Sequence, residues 1–291
     1  MFKGSFVALI TPFKDGSIDL DAFKNLIEWH IAEGTHGLVP CGTTGETPTL
    51  TDDEQQLLID TCVEVVNGRV PVIAGTGSNS TEEAINMSCH AEKAGVDAIL
   101  VVTPYYNKPT QEGIYQHYKA IHDETFLPII LYNVPSRSGV ELSLDTVVRL
   151  SKLERIVGIK DATADLARPL ELRVALGDDF VLLSGEDATV AGFLAQGGHG
   201  CISVTANIVP KLCSELHIAW QEKDFAEFER IRDLLIPLHQ ALFLETSPAP
   251  AKYCLKQMGK CEEDLRLPLV GVSSETKKKL DQAMQKTGAL K

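Results

Sequence analysis

The chain has 291 residues, a length that suits one large domain or two modest ones. Its net charge of −13 offers no basic surface for a phosphate backbone, which excludes the common classes of nucleic-acid-binding protein. Apolar residues make up 44% of the chain, enough for a sizeable core, yet no apolar run approaches the roughly 18 residues of a membrane span. The first residues do not resemble a signal peptide. We therefore expect a cytoplasmic protein with neither nucleic-acid nor membrane partners.

Short apolar segments alternate with longer amphipathic ones along most of the chain. Eight of them read as buried strands: 5–11, 37–41, 70–75, 97–102, 128–133, 156–160, 180–184 and 200–204. Helical patterns lie between them, such as residues 19–34, where Phe23, Leu26, Ile27 and Ile31 fall on one face. Eight strand–helix units predict an α/β fold, a (β/α)8 barrel. A doubly wound sheet is the alternative, but no G-x-G-x-x-G follows the first strand.

Helical sequence continues after the eighth unit. Three further helices are predicted near residues 224–242, 249–258 and 274–286. We find no linker, internal repeat or low-complexity segment between them and the preceding units. The predicted organisation is therefore a barrel over residues 1–223, with a C-terminal helical region over residues 224–291 that packs on it.

The cysteine and histidine patterns give no sign of a metal site. Seven cysteines are scattered, form no C-x-x-C pair and are odd in number, which predicts free thiols in a reducing compartment. The eight histidines lack ligand spacing, since there is no H-E-x-x-H and no histidine–carboxylate cluster. We expect neither a metal nor another cofactor.

Unusual residues gather where the predicted strands end. In barrels of this kind the active site lies at the carboxyl ends of the strands. Small hydroxylated residues, glycines and tyrosines follow several strands there, in the segments GTTGE (42–46), TPYYNKP (103–109), YNVPSRSG (132–139), SGED (184–187) and SVTAN (203–207). GTTGE could be a tight turn that binds a carboxylate or relays protons, or simply a plain loop.

Lys160 closes the apolar strand of the segment IVGIKDAT (156–163). A solvated lysine at a strand end is the ordinary interpretation. A lysine set in a low-dielectric barrel mouth, however, has its neutral, nucleophilic form favoured and can condense with a ketone to give a Schiff base. Such chemistry needs a proton shuttle, and Tyr132, at the end of the preceding strand, is a candidate. A tyrosine that merely packs its ring there is equally consistent with its position.

The segments GTTGE, TPYYNKP, YNVPSRSG, GIKDAT and SVTAN, in that order, resemble the 4-hydroxy-tetrahydrodipicolinate synthase family of lysine biosynthesis. The likeness covers nearly the whole chain. GTTGE and the Schiff-base strand are shared with the wider superfamily of pyruvate-dependent class I aldolases, whereas YNVPSRSG and TPYYNKP are more specific. The resemblance implies that pyruvate condenses on a lysine and that the resulting enamine attacks L-aspartate 4-semialdehyde.

The resemblance also implies roles for individual residues. Lys160 would carry pyruvate, with Tyr132, Thr43 and Tyr106 as the proton relay. Four more would bind substrate: Thr44 at the carboxylate of pyruvate, Arg137 at the carboxylate of the semialdehyde, and the backbones of Gly185 and Ile202 along the pocket. The family is usually a homotetramer in which the residue matching Tyr106 enters the site of a neighbouring subunit.

Some family members are inhibited by L-lysine, and the resemblance places a candidate effector site at Asn79, Glu83 and Tyr105. A carboxylate such as that of Glu83 is a natural partner for the ammonium of lysine. Glu83 also has an ordinary interpretation as the third helical residue of a Ser80 capping box. Inhibited members often carry histidine at the positions of Asp52 and Gln55, which are not histidine here.

Two other functions compete with the synthase. Within the superfamily, lyases for N-acetylneuraminate or 2-keto-3-deoxy sugar acids share the lysine and the tyrosine but must seat a polyol chain. Arg137 favours the synthase, because a cation suits a second substrate with its own carboxylate. A barrel that has lost catalysis and only binds a ligand is the third hypothesis, and it would have no reason to keep a costly buried amine.

Overall fold

The computed structural model describes residues 2–290, and its strands follow the predicted order. The eight main strands are β1 Gly4–Ala8, β2 Gly37–Val39, β3 Ile73–Gly75, β4 Ala98–Val102, β5 Ile129–Asn133, β6 Ile156–Asp161, β7 Val181–Ser184 and β8 Gly200–Ser203. A short antiparallel pair of two-residue strands, Phe13–Lys14 and Ser17–Ile18, follows β1. Each predicted strand is found, and most are shorter by one to three residues than the apolar run that predicted them.

The helices occupy the segments between and after the strands. Their bounds are α1 Leu20–Ala32, α2 Asp52–Val66, α3 Thr81–Ala94, α4 Gln111–Glu124, α5 Pro135–Ser138, α6 Leu144–Leu150, α7 Arg168–Leu176, α8 Val190–Ala195, α9 Pro210–Glu222, α10 Phe225–Ala241, α11 Ala249–Gln257 and α12 Ser274–Thr287. The three predicted C-terminal helices correspond to α10, α11 and α12. The proposed domain boundary near residue 223 stays a prediction.

One compact unit is formed by residues 71–202 with Phe2 and Lys3. Its strands pair in parallel in the order β8-β7-β6-β5-β4-β3. The register aligns Tyr132 of β5 with Lys160 of β6, and Lys160 with Leu183 of β7. Because aligned residues of neighbouring strands project to the same side of a sheet, Tyr132 and Lys160 lie side by side.

The second compact unit is formed by residues 4–70 and 203–290. Here β1 pairs in parallel with β2, with Phe6 opposite Gly37 and Ala8 opposite Val39. Helices α1, α2 and α9 to α12 belong to this unit. The apolar face of α10 is buried at helical spacing, through Phe228, Ile231, Leu235 and Leu238.

All eight strands belong to one parallel sheet, and each is followed by a helix. The protein therefore has the predicted (β/α)8 barrel fold with additional C-terminal helices, and not a doubly wound sheet. Nearly every strand residue is buried, as expected for strands covered on both faces. Within residues 2–290 no helix is long and apolar enough to cross a membrane.

The buried face of α1 differs from the predicted one in a single residue. Phe23, Leu26 and Ile27 are buried as expected, but His30 completes the face in place of Ile31, which is only half-buried. Positions 23, 26, 27 and 30 follow the i, i+3, i+4, i+7 spacing that centres a helix face. Burial lowers the pKa of His30 to about 3, so the imidazole packs as a neutral ring against Trp29.

The sequence predicts capping boxes at the starts of α2 and α3, because Thr51 stands three residues before Glu54 and Ser80 three residues before Glu83, and the two have different outcomes. At the start of α2, Thr51 accepts from the backbone N–H of Glu54, and the Glu54 side chain accepts from the N–H of Thr51, so this box is complete. At the start of α3, Ser80 accepts from the N–H of Glu83, but the Glu83 carboxylate accepts a hydrogen bond from the Ser78 hydroxyl at 2.7 Å instead. The predicted capping box at Ser80 is therefore only half formed.

Candidate active site

Lys160 is the fifth residue of β6 and lies near the carboxyl end of that strand. Only 7% of its surface is exposed, although it is a lysine. Its amine lies 4.2 Å from the ring centroid of Tyr132, over the ring face, a distance at which an aromatic face attracts a cation. The structure thus brings together the two residues that the sequence predicted as nucleophile and proton shuttle.

Gly185 follows β7 and leaves room for the Lys160 side chain. A Cβ atom at position 185 would lie 2.9 Å from Cε of Lys160 and 2.7 Å from Cβ of Ala162, both closer than real contacts allow. A glycine at position 185 therefore leaves the space that the Lys160 side chain occupies. Ile202, the last predicted pocket residue, is buried on β8.

A buried polar network fixes the strand end beside Lys160. The Asp161 carboxylate accepts from Nε of Arg168 at 2.6 Å and from Nδ2 of Asn133 at 3.0 Å. The Asn133 side-chain oxygen accepts from the N–H of Leu142 at 3.0 Å, and Arg168 donates to the Leu142 carbonyl. All three polar side chains are buried, so each needs the others as partners.

The loop held by this network carries Arg137. This residue lies on the short helix α5, directly after β5, and its side chain is exposed. Within the loop, the buried Ser138 hydroxyl donates to the carbonyls of Val134 and Val140 at 3.1 and 2.8 Å. The exposed guanidinium therefore projects from a fixed backbone, as a residue that binds the carboxylate of an incoming substrate requires.

Tyr106 differs from Lys160 and Tyr132 in its exposure to solvent. Its side chain is 88% exposed, the largest exposure among the large apolar and aromatic residues within 2–290. Its backbone φ is +70°, in the left-handed region that a bulky residue rarely adopts. The Tyr106 ring therefore makes little packing contact within its own chain, although its backbone is held in an unfavourable conformation.

The GTTGE segment belongs to the second unit and contains one short 3₁₀ turn, Thr43–Gly45, and a second 3₁₀ turn, Thr47–Thr49, follows it directly. Thr44 is buried, and Thr43 is half-buried. The Thr11 hydroxyl donates to the Gly45 carbonyl at 2.7 Å, and the Thr47 hydroxyl donates to the Cys41 carbonyl at 2.6 Å. The backbone of this turn is thus held by hydroxyl groups on both sides.

Cys41 comes immediately before this turn. It is buried and has a left-handed backbone, with φ +56°. Burial raises the pKa of its thiol to about 12. Cys41 is therefore a packed, protonated side chain next to the turn.

The candidate effector residues lie together near the start of α3. The side-chain amide of Asn107 donates to the Asn79 carbonyl at 3.0 Å, and the Asn107 N–H donates to the Tyr105 carbonyl at 2.8 Å. Asn79 and Tyr105 are half-buried, while Glu83 is exposed. The segment 103–109 thus joins the candidate effector residues to Tyr106 through a continuous backbone.

Glu186, which follows β7, has a carboxyl group whose pKa is shifted by burial. Burial raises the pKa of the Glu186 carboxyl, and its side chain accepts from the N–H of Ala188.

Within residues 2–290, no group of three or more histidine, cysteine, aspartate or glutamate side chains could hold a metal ion.

Sequence reasoning missed the partners of Asp161 and of Glu46. Asp161 directly follows Lys160, and an aspartate at the end of a buried strand signals that a cation must be near. That signal does not say which cation, and Arg168 is seven residues further along. Glu46 pairs with Lys252, more than 200 residues away in sequence, which no local pattern reveals.

The site places a buried lysine amine at the carboxyl end of a barrel strand, over a tyrosine ring and next to a glycine. This arrangement suits a Schiff-base-forming lyase. The model of the Dihydrodipicolinate synthetase family matches residues 1–287. The chain belongs to this family.

Relatives match over their full length. The chain is 61% identical over 290 residues to a 4-hydroxy-tetrahydrodipicolinate synthase of Rhodospirillum centenum, covering 100% of both chains. The chloride-inhibited dihydrodipicolinate synthase from Acinetobacter baumannii, solved in complex with pyruvate, is 46% identical with a TM-score of 0.97, covering 100% of both chains. The enzyme from Cyanidioschyzon merolae, solved with lysine bound, is 36% identical with a TM-score of 0.96, covering 99% of both chains.

Proposed function

We propose that this protein condenses pyruvate with L-aspartate 4-semialdehyde to give 4-hydroxy-tetrahydrodipicolinate, in the diaminopimelate route to lysine. The observation that carries the proposal is the buried Lys160 amine over the Tyr132 ring, in a chain of the Dihydrodipicolinate synthetase family. The high identity to named synthases supports the same activity. The proposed activity uses a covalent Schiff base between Lys160 and pyruvate and needs no cofactor.

In the first half of the proposed reaction, the neutral Lys160 amine attacks the keto carbon of pyruvate and water leaves. The product is a protonated imine, which withdraws electrons from the neighbouring methyl group. A base removes one methyl proton and an enamine forms. Tyr132, whose ring centroid lies 4.2 Å from the amine, carries protons in this step, with Thr43 and Tyr106 completing the relay.

In the second half, the enamine carbon attacks the aldehyde carbon of the semialdehyde, whose oxygen takes a proton and becomes the 4-hydroxyl group. The amino group of the former semialdehyde then attacks the imine carbon. Lys160 leaves as a free amine and the six-membered ring closes. Thr44 holds the pyruvate carboxylate, Arg137 holds the semialdehyde carboxylate, and the backbones of Gly185 and Ile202 line the pocket.

The competing sugar-acid lyases are separated by their substrates. The proposed function predicts that pyruvate is consumed with aspartate 4-semialdehyde, while N-acetylneuraminate and 2-keto-3-deoxy sugar acids are not cleaved. The exposed Arg137 cation favours a second substrate with its own carboxylate. Cleavage of a sugar acid without consumption of the semialdehyde would replace the proposal, and the absence of all these activities would leave a binding protein.

We also propose a homotetramer in which Tyr106 completes the site of a neighbouring subunit. The support is the 88% exposure of Tyr106 and its strained backbone, because such a conformation persists where surroundings impose it. A neighbouring chain would supply those surroundings. A cytoplasmic location remains a prediction from the cysteine pattern.

Mixing two inactive variants tests this assembly. Tyr106→Phe and Lys160→Ala should each be impaired, but a hybrid pair contains one site with both residues intact. Random reassociation makes half of the pairs hybrid with one intact site each, so about a quarter of wild-type activity should return. The measurement is synthase activity after joint dissociation and reassociation of the two variants.

The control replaces the Tyr106→Phe chain by one that carries both substitutions, since no mixture with Lys160→Ala can then form an intact site. Activity in the first mixture no higher than its Tyr106→Phe chains show by themselves would place Tyr106 in the site of its own chain, and a fully active Tyr106→Phe protein would place it outside catalysis.

We propose L-lysine as an inhibitor that binds at Asn79, Glu83 and Tyr105. The exposed Glu83 carboxylate supports this, because it accepts a hydrogen bond from the Ser78 hydroxyl and is not used by the capping box. The lysine-bound Cyanidioschyzon merolae relative supports a lysine site in the family. Bound lysine would shift Tyr106 through segment 103–109 and disturb the proton relay.

Titration of L-lysine into the synthase assay tests this proposal. Inhibition should be partial, since coupling energies between sites are typically about 1–3 kcal/mol. Glu83→Ala should weaken inhibition at least about tenfold in lysine concentration, because an ammonium–carboxylate pair is lost. Glu82→Ala is the matched control on the same helical turn and should respond like the wild type. Unchanged activity at millimolar lysine would contradict the proposal.

A further inference from the structure

The strongest unexplained feature outside the residues around Lys160 is a buried ion pair in the second unit. Glu46 closes the GTTGE turn with a left-handed backbone, φ +58°, between the two 3₁₀ segments. The Nζ atom of Lys252, on α11, lies 2.5 Å from Oε1 of Glu46, and both side chains are 0% exposed. Charged residues are almost never fully buried unless they are paired, so the burial of Glu46 and Lys252 depends on their contact with each other.

Further contacts tie both members to the C-terminal region. The Lys252 amine donates to the Asp264 carbonyl at 2.7 Å and lies 4.1 Å from the ring centroid of Phe13. The second Glu46 oxygen, Oε2, accepts from the backbone N–H of Arg266 at 3.1 Å. Burial lowers the pKa of Lys252, and the Glu46 carboxylate opposes that shift.

Arg266 holds the segment that follows the turn. Its guanidinium donates to the Thr49 carbonyl at 2.8 Å and to both carboxylate oxygens of Glu54 at 2.6 Å. It also lies over the Phe13 ring, 4.4 Å from the centroid. Through its backbone N–H and its side chain, one residue therefore fixes the end of the turn and the start of α2.

We propose that Lys252 and Arg266 are positioning residues that set the backbone of the GTTGE turn, so that Thr43 and Thr44 are aligned for pyruvate. A left-handed conformation at a glutamate costs free energy and persists when surroundings over-determine it. The buried ion pair and the Arg266 N–H supply that constraint at the residue that closes the turn. The C-terminal helices thereby serve the chemistry as well as the packing. This inference rests on the proposed function of Thr43 and Thr44.

The test removes both charges together. Replacing one partner alone would leave the other charge buried and unpaired, whereas removing both is often nearly neutral for stability. The double variant Glu46→Gln, Lys252→Met should therefore stay folded but lose alignment of the turn. We expect KM for pyruvate to rise and kcat to fall about 10- to 100-fold, because small misplacements at a reacting centre have effects of that size.

A purely structural pair would not produce this pattern. KM for aspartate 4-semialdehyde should stay close to that of the wild type, because Arg137, which holds that substrate, is not among the contacts of the ion pair. All measurements are made at a temperature where circular dichroism shows each variant to be folded. The matched control is Lys256→Met on the same helix, whose exposed partner is Glu262 at 3.0 Å, and it should behave like the wild type.

Arg266→Gln decides the question if the double variant does not fold. Arg266 is partly exposed, so its replacement leaves no buried charge, yet it releases Thr49 and Glu54. It should raise KM for pyruvate in the same selective way. Wild-type constants in Arg266→Gln, or in a folded double variant, would overturn the inference. A wild-type enzyme without synthase activity would instead overturn the proposed function.

Discussion

Lys160→Ala is expected to lower synthase activity by roughly 10³-fold or more, because it removes the amine that carries the substrate. In the wild type, pyruvate with borohydride should reduce the imine to a stable amine and add covalent mass to the chain. Mass spectrometry of the digested protein should place that mass on Lys160. The variant should take up none of it.

An exposed lysine provides the control for this experiment. Lys152 lies on the surface after α6, and Lys152→Ala should keep both the adduct and the activity. Circular dichroism of Lys160→Ala checks that the loss is not a loss of fold. An adduct on a different lysine, or none in the wild type, would remove the Schiff-base mechanism.

Gly185→Ala is the second substitution with a large expected effect. The added methyl group would lie 2.9 Å from Cε of Lys160 and 2.7 Å from Cβ of Ala162, so the lysine side chain must move. A displacement of about 1 Å at a reacting group can cost roughly 10²-fold in rate. We expect the rate of borohydride-trapped adduct formation to fall by about that factor, with the loss already present in the pyruvate half-reaction.

Gly271→Ala is the matched control, because a Cβ at that exposed position meets no atom within 4 Å. It should form the adduct at the wild-type rate. A wild-type rate in Gly185→Ala would mean that the lysine adapts without loss, and that Gly185 contributes only its backbone.

The fold could be predicted from sequence because its signals are local. A run such as 128–133 identifies a buried strand by itself, and eight such runs separated by amphipathic segments leave few architectures. The start of α2 was equally readable, since Thr51 and Glu54 satisfy each other within one turn. Most strands were predicted one to three residues too long, because the apolar runs that mark them also include flanking residues.

The positions of Lys160 and Tyr132 could be predicted from the sequence, but the buried contacts that support their surroundings could not. The position of Lys160 at a strand end followed from the pattern, and its neighbour Tyr132 followed from the order of parallel strands. The ion pairs Asp161–Arg168 and Glu46–Lys252 could not be predicted, because the sequence shows a charged residue but not which residue it contacts. The capping box expected at Ser80 is only half formed, because the Ser78 hydroxyl takes the Glu83 carboxylate that the box would use.

Cys41 bears on how this enzyme responds to oxidants. Thiol oxidation and alkylation proceed through the thiolate, and a pKa of about 12 leaves almost none of it at neutral pH. A cysteine therefore directly precedes the GTTGE turn without making the turn sensitive to peroxide. Peroxide treatment of the folded protein should therefore leave Cys41 unmodified, which peptide mass spectrometry can check.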